Sequence, residues 1–155
     1  MDERIVEATI RALSVVNHVR FFKSERGYQG RFFCELEAFL YEYGVLSDST
    51  ILEMEYQKTT QHGTSQRPDI ILHIPVEASG AAVGENNFAV WALKHRASAF
   101  KAQEDFGKLD EMFEYLCYPL GIFSTPLDTI SGTILVTTLI DLSRLPFNSM
   151  TGMSP

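Results

Sequence analysis

An aspartate and a lysine stand at the ends of two apolar runs. Asp69 follows Pro68 and opens Asp69-Ile70-Ile71-Leu72-His73, and Lys94 closes Asn87-Phe88-Ala89-Val90-Trp91-Ala92-Leu93-Lys94. Side chains alternate along a strand, so Asp69, Ile71 and His73 share one face, as do Val90, Ala92 and Lys94. If the two strands pair, the carboxylate and the ammonium approach each other at one sheet edge. A carboxylate there offers hard oxygen to a divalent cation, and a lysine can orient or deprotonate a water. That is equipment for attacking a phosphodiester.

The elements that must position these groups read as follows. Ile5, Ala8, Ala12, Val15, Val16 and Val19 recur at helical spacing, which predicts a helix from Glu3 to about Lys23. Gly27 and Gly30 then break it, and a second helix runs from about Arg31 to Tyr43, with Gly44 as its stop. Thr50 to Gln57 alternates like a strand, with Glu53 and Glu55 on an exposed face, and a polar loop, residues 58–66, leads to a strand closed by Pro75. A Gly/Ala-rich stretch, residues 76–85, joins it to the run ending at Lys94. Three strands this close in sequence predict an antiparallel meander. Ser98 is a candidate N-cap for a helix to about Cys117, striped by Ala102, Phe106, Leu109, Phe113 and Leu116. Tyr118 to Phe123 has the makings of a short strand and Gly132 to Ile140 is a clear one. The expectation is an α/β fold, a small mixed sheet flanked by helices in the order α-α-β-β-β-α-β. It forms one domain over residues 1–145, with 146–155 a loosely ordered tail.

At 155 residues the chain can bury roughly 70% of its unfolded surface in one core. Its 45% apolar and 21% charged residues are globular proportions and argue against a disordered chain. No apolar run approaches the roughly 20 residues of a membrane span, and the start lacks a secretory layout. The expectation is a soluble, cytoplasmic protein with no membrane partner. A net charge of −7 excludes a uniformly basic nucleic-acid coat, though not a local basic site. Cys34 and Cys117 read as buried free thiols, and the histidines, His18, His62, His73 and His95, lack zinc-type spacing.

Arg67-Pro68-Asp69, the run ending in Lys94, and Asp105-Phe106-Gly107-Lys108-Leu109 together resemble the PD-(D/E)XK nuclease superfamily, over roughly Gln29 to Phe123. Within it the chain looks like the small stand-alone bacterial members. The resemblance implies a restriction-endonuclease-like core and a Mg²⁺ or Mn²⁺ ion held by Asp69 and a motif acid, with the Leu93 carbonyl joining them. It implies that Lys94 positions the attacking water and neutralises developing charge. An acid on the first core helix, Glu35 or Glu37, completes such sites, or Gln29 takes that place. The implied substrate is DNA rather than RNA, the implied assembly for cutting both strands is a homodimer, and the implied setting is defence against foreign DNA or repair. His95, Arg96, Lys101 and Lys108 are the candidate phosphate contacts.

One position departs from the pattern. The motif wants Asp or Glu where Ala92 stands, which leaves the ion weakly held. Three readings of Ala92 remain open: an inactivating substitution introduced by an experimenter, a natural pseudo-enzyme, or an acid that has moved to Glu104 or Asp105. A pseudo-enzyme would be a binding module for nucleic acid or a protein partner, or a purely structural subunit. Plainer readings stand beside these. Asp69 can cap a turn, Lys94 can end a strand, His73 can be a half-buried strand residue, and Trp91 can be core. His95, Arg96 and Lys101 can be a solvated face, while Lys101, Asp105 and Lys108 can form intrahelical ion pairs.

Overall fold

Helix α1 (Asp2–Val15) forms on the apolar spacing of Ile5, Ala8 and Ala12, all fully buried. It stops at Val15 rather than at Lys23, because Val15-Val16-Asn17 combines β-branched residues with an asparagine. The stretch beyond it tightens into a 3-10 turn at Phe21–Lys23. The fold is that of a computed structural model, which describes residues 2–54, 68–75, 86–94, 98–128 and 133–140.

Helix α2 (Glu25–Glu42) begins ahead of the expected Arg31, so Gly27 and Gly30 lie inside it. Ser24 caps its start, its hydroxyl accepting from the Gly27 N–H at 3.1 Å. Two helical glycines cost about 1 kcal/mol each, but fully burying Tyr28, Phe32, Leu36 and Leu40 outweighs that at about 1.5–3 kcal/mol per side chain. Gly44, at φ +64°, ends the helix in the left-handed region as expected.

Strands β1 (Ile51–Met54), β2 (Ile70–His73) and β3 (Asn87–Leu93) form the antiparallel meander that the spacing predicts. Helix α3 (Ala99–Leu116), capped by Ser98 with the Lys101 N–H 3.3 Å from its hydroxyl, crosses over to β4 (Leu120–Asp128), which runs parallel to β3. Strand β5 (Thr133–Ile140) closes antiparallel to β4, giving a mixed five-stranded sheet in the order β1-β2-β3-β4-β5. Two strands therefore follow α3, and the order is α-α-β-β-β-α-β-β rather than the α-α-β-β-β-α-β expected. The short strand read at Tyr118 to Phe123 is the first half of β4, which starts at Leu120 and continues past Pro126 to Asp128 through its pairing with β5.

Helices α1 and α2 cover one face of the sheet through Ile70, Leu72, Trp91 and Leu93, and α3 covers the other through Ile71, Val90 and Phe123. Trp91 is core, as expected. The two cysteines are free thiols, but Cys34 is exposed and Cys117 half-buried, at the left-handed C-cap of α3. Among the described residues no helix is long and apolar enough to cross a membrane. The strand expectation beyond Met54, the loop 58–66, the stretch 76–85, His95, Arg96 and the tail 146–155 lie outside the described residues.

Candidate active site

The β2–β3 register pairs Ile70 with Trp91 and Ile71 with Val90, so its next step sets Asp69 against Ala92. The Asp69 carboxylate is held from two directions. Oδ2 accepts from the Leu93 N–H at 2.6 Å, and Oδ1 accepts from Gln29 Nε2 at 3.1 Å. The same Gln29 amide reaches the Leu93 carbonyl at 3.3 Å. Gln29 is buried in α2, so one side chain links the first long core helix to both strands of the motif. Its neighbour Tyr28 fixes that helix from the other side, its hydroxyl 2.9 Å from Ser124 Oγ on β4. Burial pushes the Tyr28 phenol up to about 12, against the bond to Ser124.

Helix α3 brings a second carboxylate to the same place. The fully or nearly buried line on α3 is Asp105, Leu109, Met112 and Leu116, so a charged residue stands on the core-facing stripe at 3% exposure. Asp105 Oδ1 accepts from Lys108 Nζ at 2.6 Å. Its Oδ2 is buried with no hydrogen-bond partner among the described residues, and Lys94 Nζ stands 4.0 Å from it. Lys94 also lies 3.7 Å from Glu25 Oε1. Asp69, Ala92, Lys94, Asp105 and Lys108 line one cavity, walled by Val90, Leu109 and Met112.

No family model, curated protein or solved structure matches the chain.

Three of the residues singled out in the sequence, Asp69, Ala92 and Lys94, meet at this cavity. Lys108 joins them, bonded to Asp105 as an intrahelical pair. Glu35 instead pairs with Arg31 and Glu37 is exposed; neither is among the side chains that line the cavity, and Gln29 is the α2 residue that touches Asp69. Glu104 and Lys101 are exposed. Glu53 is not free on its strand face: its Oε2 lies 2.6 Å from Nε2 of the buried His73. Glu25, one helical turn before Gln29 on α2, also reaches Lys94. Gly27 and Gly30 hide this in the sequence, because they read as a break that places Glu25 outside the helix.

Burial pushes the Asp69 carboxyl above its ordinary 3.8. The Leu93 N–H and Lys94 oppose this, while Glu25 and Asp105 add to it. The Lys108 ammonium is shifted up, chiefly by its bond to Asp105. A carboxyl raised on folding costs stability when ionised. That cost is present above the folded value and vanishes as pH falls from it towards 3.8. Asp69→Asn should therefore melt no lower than the parent at pH 7 without divalent cations, and its advantage should shrink on acidification. A clearly lower melting temperature at pH 7 would contradict the assigned balance of burial over hydrogen bonding.

Asp69 and Asp105 bring two carboxylates to the cavity, and Asp105 Oδ2 is a buried atom lacking a hydrogen bond among the described residues. Such oxygens are of the kind a small hard cation takes. No group of three His, Cys, Asp or Glu that could hold a metal ion occurs among those residues. Magnesium does not require one, since it keeps several waters and commonly takes one or two carboxylates.

Proposed function

We propose that the chain is a divalent-cation-dependent nuclease with a restriction-endonuclease-like core, in which Asp105 does the work of the acid absent at Ala92. The observation that carries this reading is Asp105 itself. It is a carboxylate buried on the core stripe of α3, beside Lys94 and in the same cavity as Asp69. A buried carboxylate oxygen left without a hydrogen bond is costly, which asks what it is kept for. The antiparallel pairing of the two motif strands, and the helices on both faces of a mixed sheet, lend further support.

Asp69 and Asp105 would hold the ion, Mg²⁺ or Mn²⁺, with the Leu93 carbonyl beside them. Once bound, such an ion makes water a nucleophile near neutral pH and neutralises charge on the phosphoryl oxygens. The remaining work belongs to the chain's own groups. Gln29 fixes Asp69 Oδ1 and the Leu93 carbonyl in one geometry, so neither needs to reorganise during the reaction. Lys94, 27% exposed at the cavity, orients the attacking water and meets the charge that develops on phosphate. Lys108 and Lys101 are the two cations of α3, a helix that also carries five acids, so any phosphate contact there is local to these side chains. DNA is the proposed substrate, and cutting both strands calls for a homodimer.

Ala92 favours a second reading: a nuclease-like fold without chemistry that binds nucleic acid or, given the net charge of −7, a protein partner. One assay separates the two. Labelled single- and double-stranded DNA and RNA are incubated with the parent chain and with Asp69→Asn, in Mg²⁺ or Mn²⁺. The nuclease reading expects the parent to cut DNA and the variant to be slower by about 10²-fold or more. A folded parent that cuts none of the substrates leaves the binding module as the reading to pursue.

A further inference from the structure

One buried carboxylate, Asp105, is flanked by two ammonium groups held in different ways. Lys94 stands 4.0 Å from Oδ2, is 27% exposed and is also drawn towards Glu25. Lys108 donates to Oδ1 at 2.6 Å, yet its side chain is 47% exposed on a flexible stem. Lys108 is thus the tighter partner and also the one with an open route to water. We propose that Lys108 is a resident counter-ion of Asp105 that sets the cleft's affinity for divalent cations, and that it turns to a substrate phosphate when Asp105 takes up the cation. This rests on the cation-dependent reading above.

A divalent cation and the Lys108 ammonium compete for one carboxylate. A carboxylate 4% exposed needs a nearby positive charge, and Lys108 Nζ supplies it through a charge-assisted hydrogen bond. A divalent ion coordinated by the same carboxylate would lie within a few ångströms of that ammonium, so the two repel. Lys108 can yield at low cost, because a half-exposed lysine is readily rehydrated. Lys108 lines the same cavity as Asp69 and Lys94 and is half-exposed, so once released it is within reach of a phosphate that approaches them. Cation entry and substrate contact are then coupled through one side chain. The residue tunes two affinities in opposite directions.

The test measures Mn²⁺ binding by electron paramagnetic resonance, without nucleic acid, for the parent, Lys108→Met, Lys108→Arg and Asp105→Asn. Lys108→Met should bind Mn²⁺ about 5-fold tighter than the parent, a size typical of a part-exposed ion pair. Lys108→Arg, which keeps the charge, should stay near the parent, and Asp105→Asn should bind more weakly. Binding of a short DNA duplex in Ca²⁺ should weaken in Lys108→Met, with the slope of log affinity on log salt reduced by about 0.9. Circular dichroism checks that each variant is folded. Unchanged Mn²⁺ affinity in Lys108→Met, alongside weaker binding in Asp105→Asn, overturns this inference and leaves the cation site standing. An unchanged salt slope overturns the handover to phosphate. Failure of both the parent and Lys108→Met to bind Mn²⁺ removes the cation-dependent reading and this inference together.

Discussion

Asp105→Asn is expected to slow DNA cleavage by about 10²–10³-fold while leaving the chain folded, an effect of the size produced by removing one preorganised charge-stabilising group. The change is nearly isosteric and keeps an oxygen for Lys108, so the packing of α3 against the sheet through Leu109, Met112 and Leu116 is retained. What it removes is the negative charge facing Lys94. The companion variant is Ala92→Glu. Ala92 and Asp105 line the same cavity, so a carboxylate at either position supplies oxygen to the same space. In the Asp105→Asn background, Ala92→Glu should recover part of the lost rate. In the parent background it should bring little gain, because it adds a third carboxylate beside the buried Asp69 and Asp105 without a further cation to balance it. The opposite pattern, an inert parent that becomes active on Ala92→Glu whatever stands at 105, would mean that Ala92 is a missing ligand and Asp105 a structural ion-pair residue. Cleavage rates of the four chains at saturating Mn²⁺ distinguish the two.

The strand end of this site is visible in the sequence, and its helical walls are only partly so. Alternation along two apolar runs suffices to put Asp69 and Lys94 on faces that meet, because a strand has only two faces and the meander leaves one pairing. Helix α2 is harder. Gly27 and Gly30 carry a local penalty that reads as a break. What overrides it is the burial of Tyr28 and Phe32 against the rest of the core, a tertiary term with no local signature. That error matters for function, since it left Glu25 and Gln29 outside the helix that presents them. Asp105 illustrates a different limit. The stripe read from Ala102, Phe106, Leu109, Phe113 and Leu116 is apolar by construction, so a buried aspartate one turn before Leu109 can register only as an exception to it. Lys108 three residues on offers a local partner, and a local partner is also the signature of an ordinary surface pair. Burial separates the two cases, and burial is a property of the assembled sheet.

Trp91→Ala should be the most destabilising single change on the strand that carries the site, lowering unfolding free energy by about 3–5 kcal/mol, as large-to-small changes in a packed core do. Trp91 is fully buried at the centre of the sheet, with Ile70 beside it on β2 and Ile122 on β4. Its indole N–H donates to Thr9 Oγ1 at 3.1 Å, and that hydroxyl donates to the Ile5 carbonyl at 2.8 Å. The chain thus ties β3 to α1 by packing and by a buried polar relay. Trp91→Phe separates the two contributions: most of the apolar contact remains, the Thr9 hydroxyl still has Ile5, and the loss should be about 1–2 kcal/mol. Against a total stability of about 5–15 kcal/mol for a domain of this kind, the alanine variant loses a large share and the phenylalanine variant does not. Urea unfolding of both, read by circular dichroism, measures the difference. The functional consequence differs in kind from that of Asp105→Asn. Trp91 packs in the core under α1 and α2, while Lys94 lies at the cavity between Asp105 of α3 and Glu25 of α2. The alanine variant should therefore lose activity in proportion to the fraction unfolded, and cleavage per folded molecule should stay near the parent's. A loss per folded molecule comparable with that of Asp105→Asn would show that α1, through Trp91, sets the position of Leu93 and Lys94 and not merely their stability.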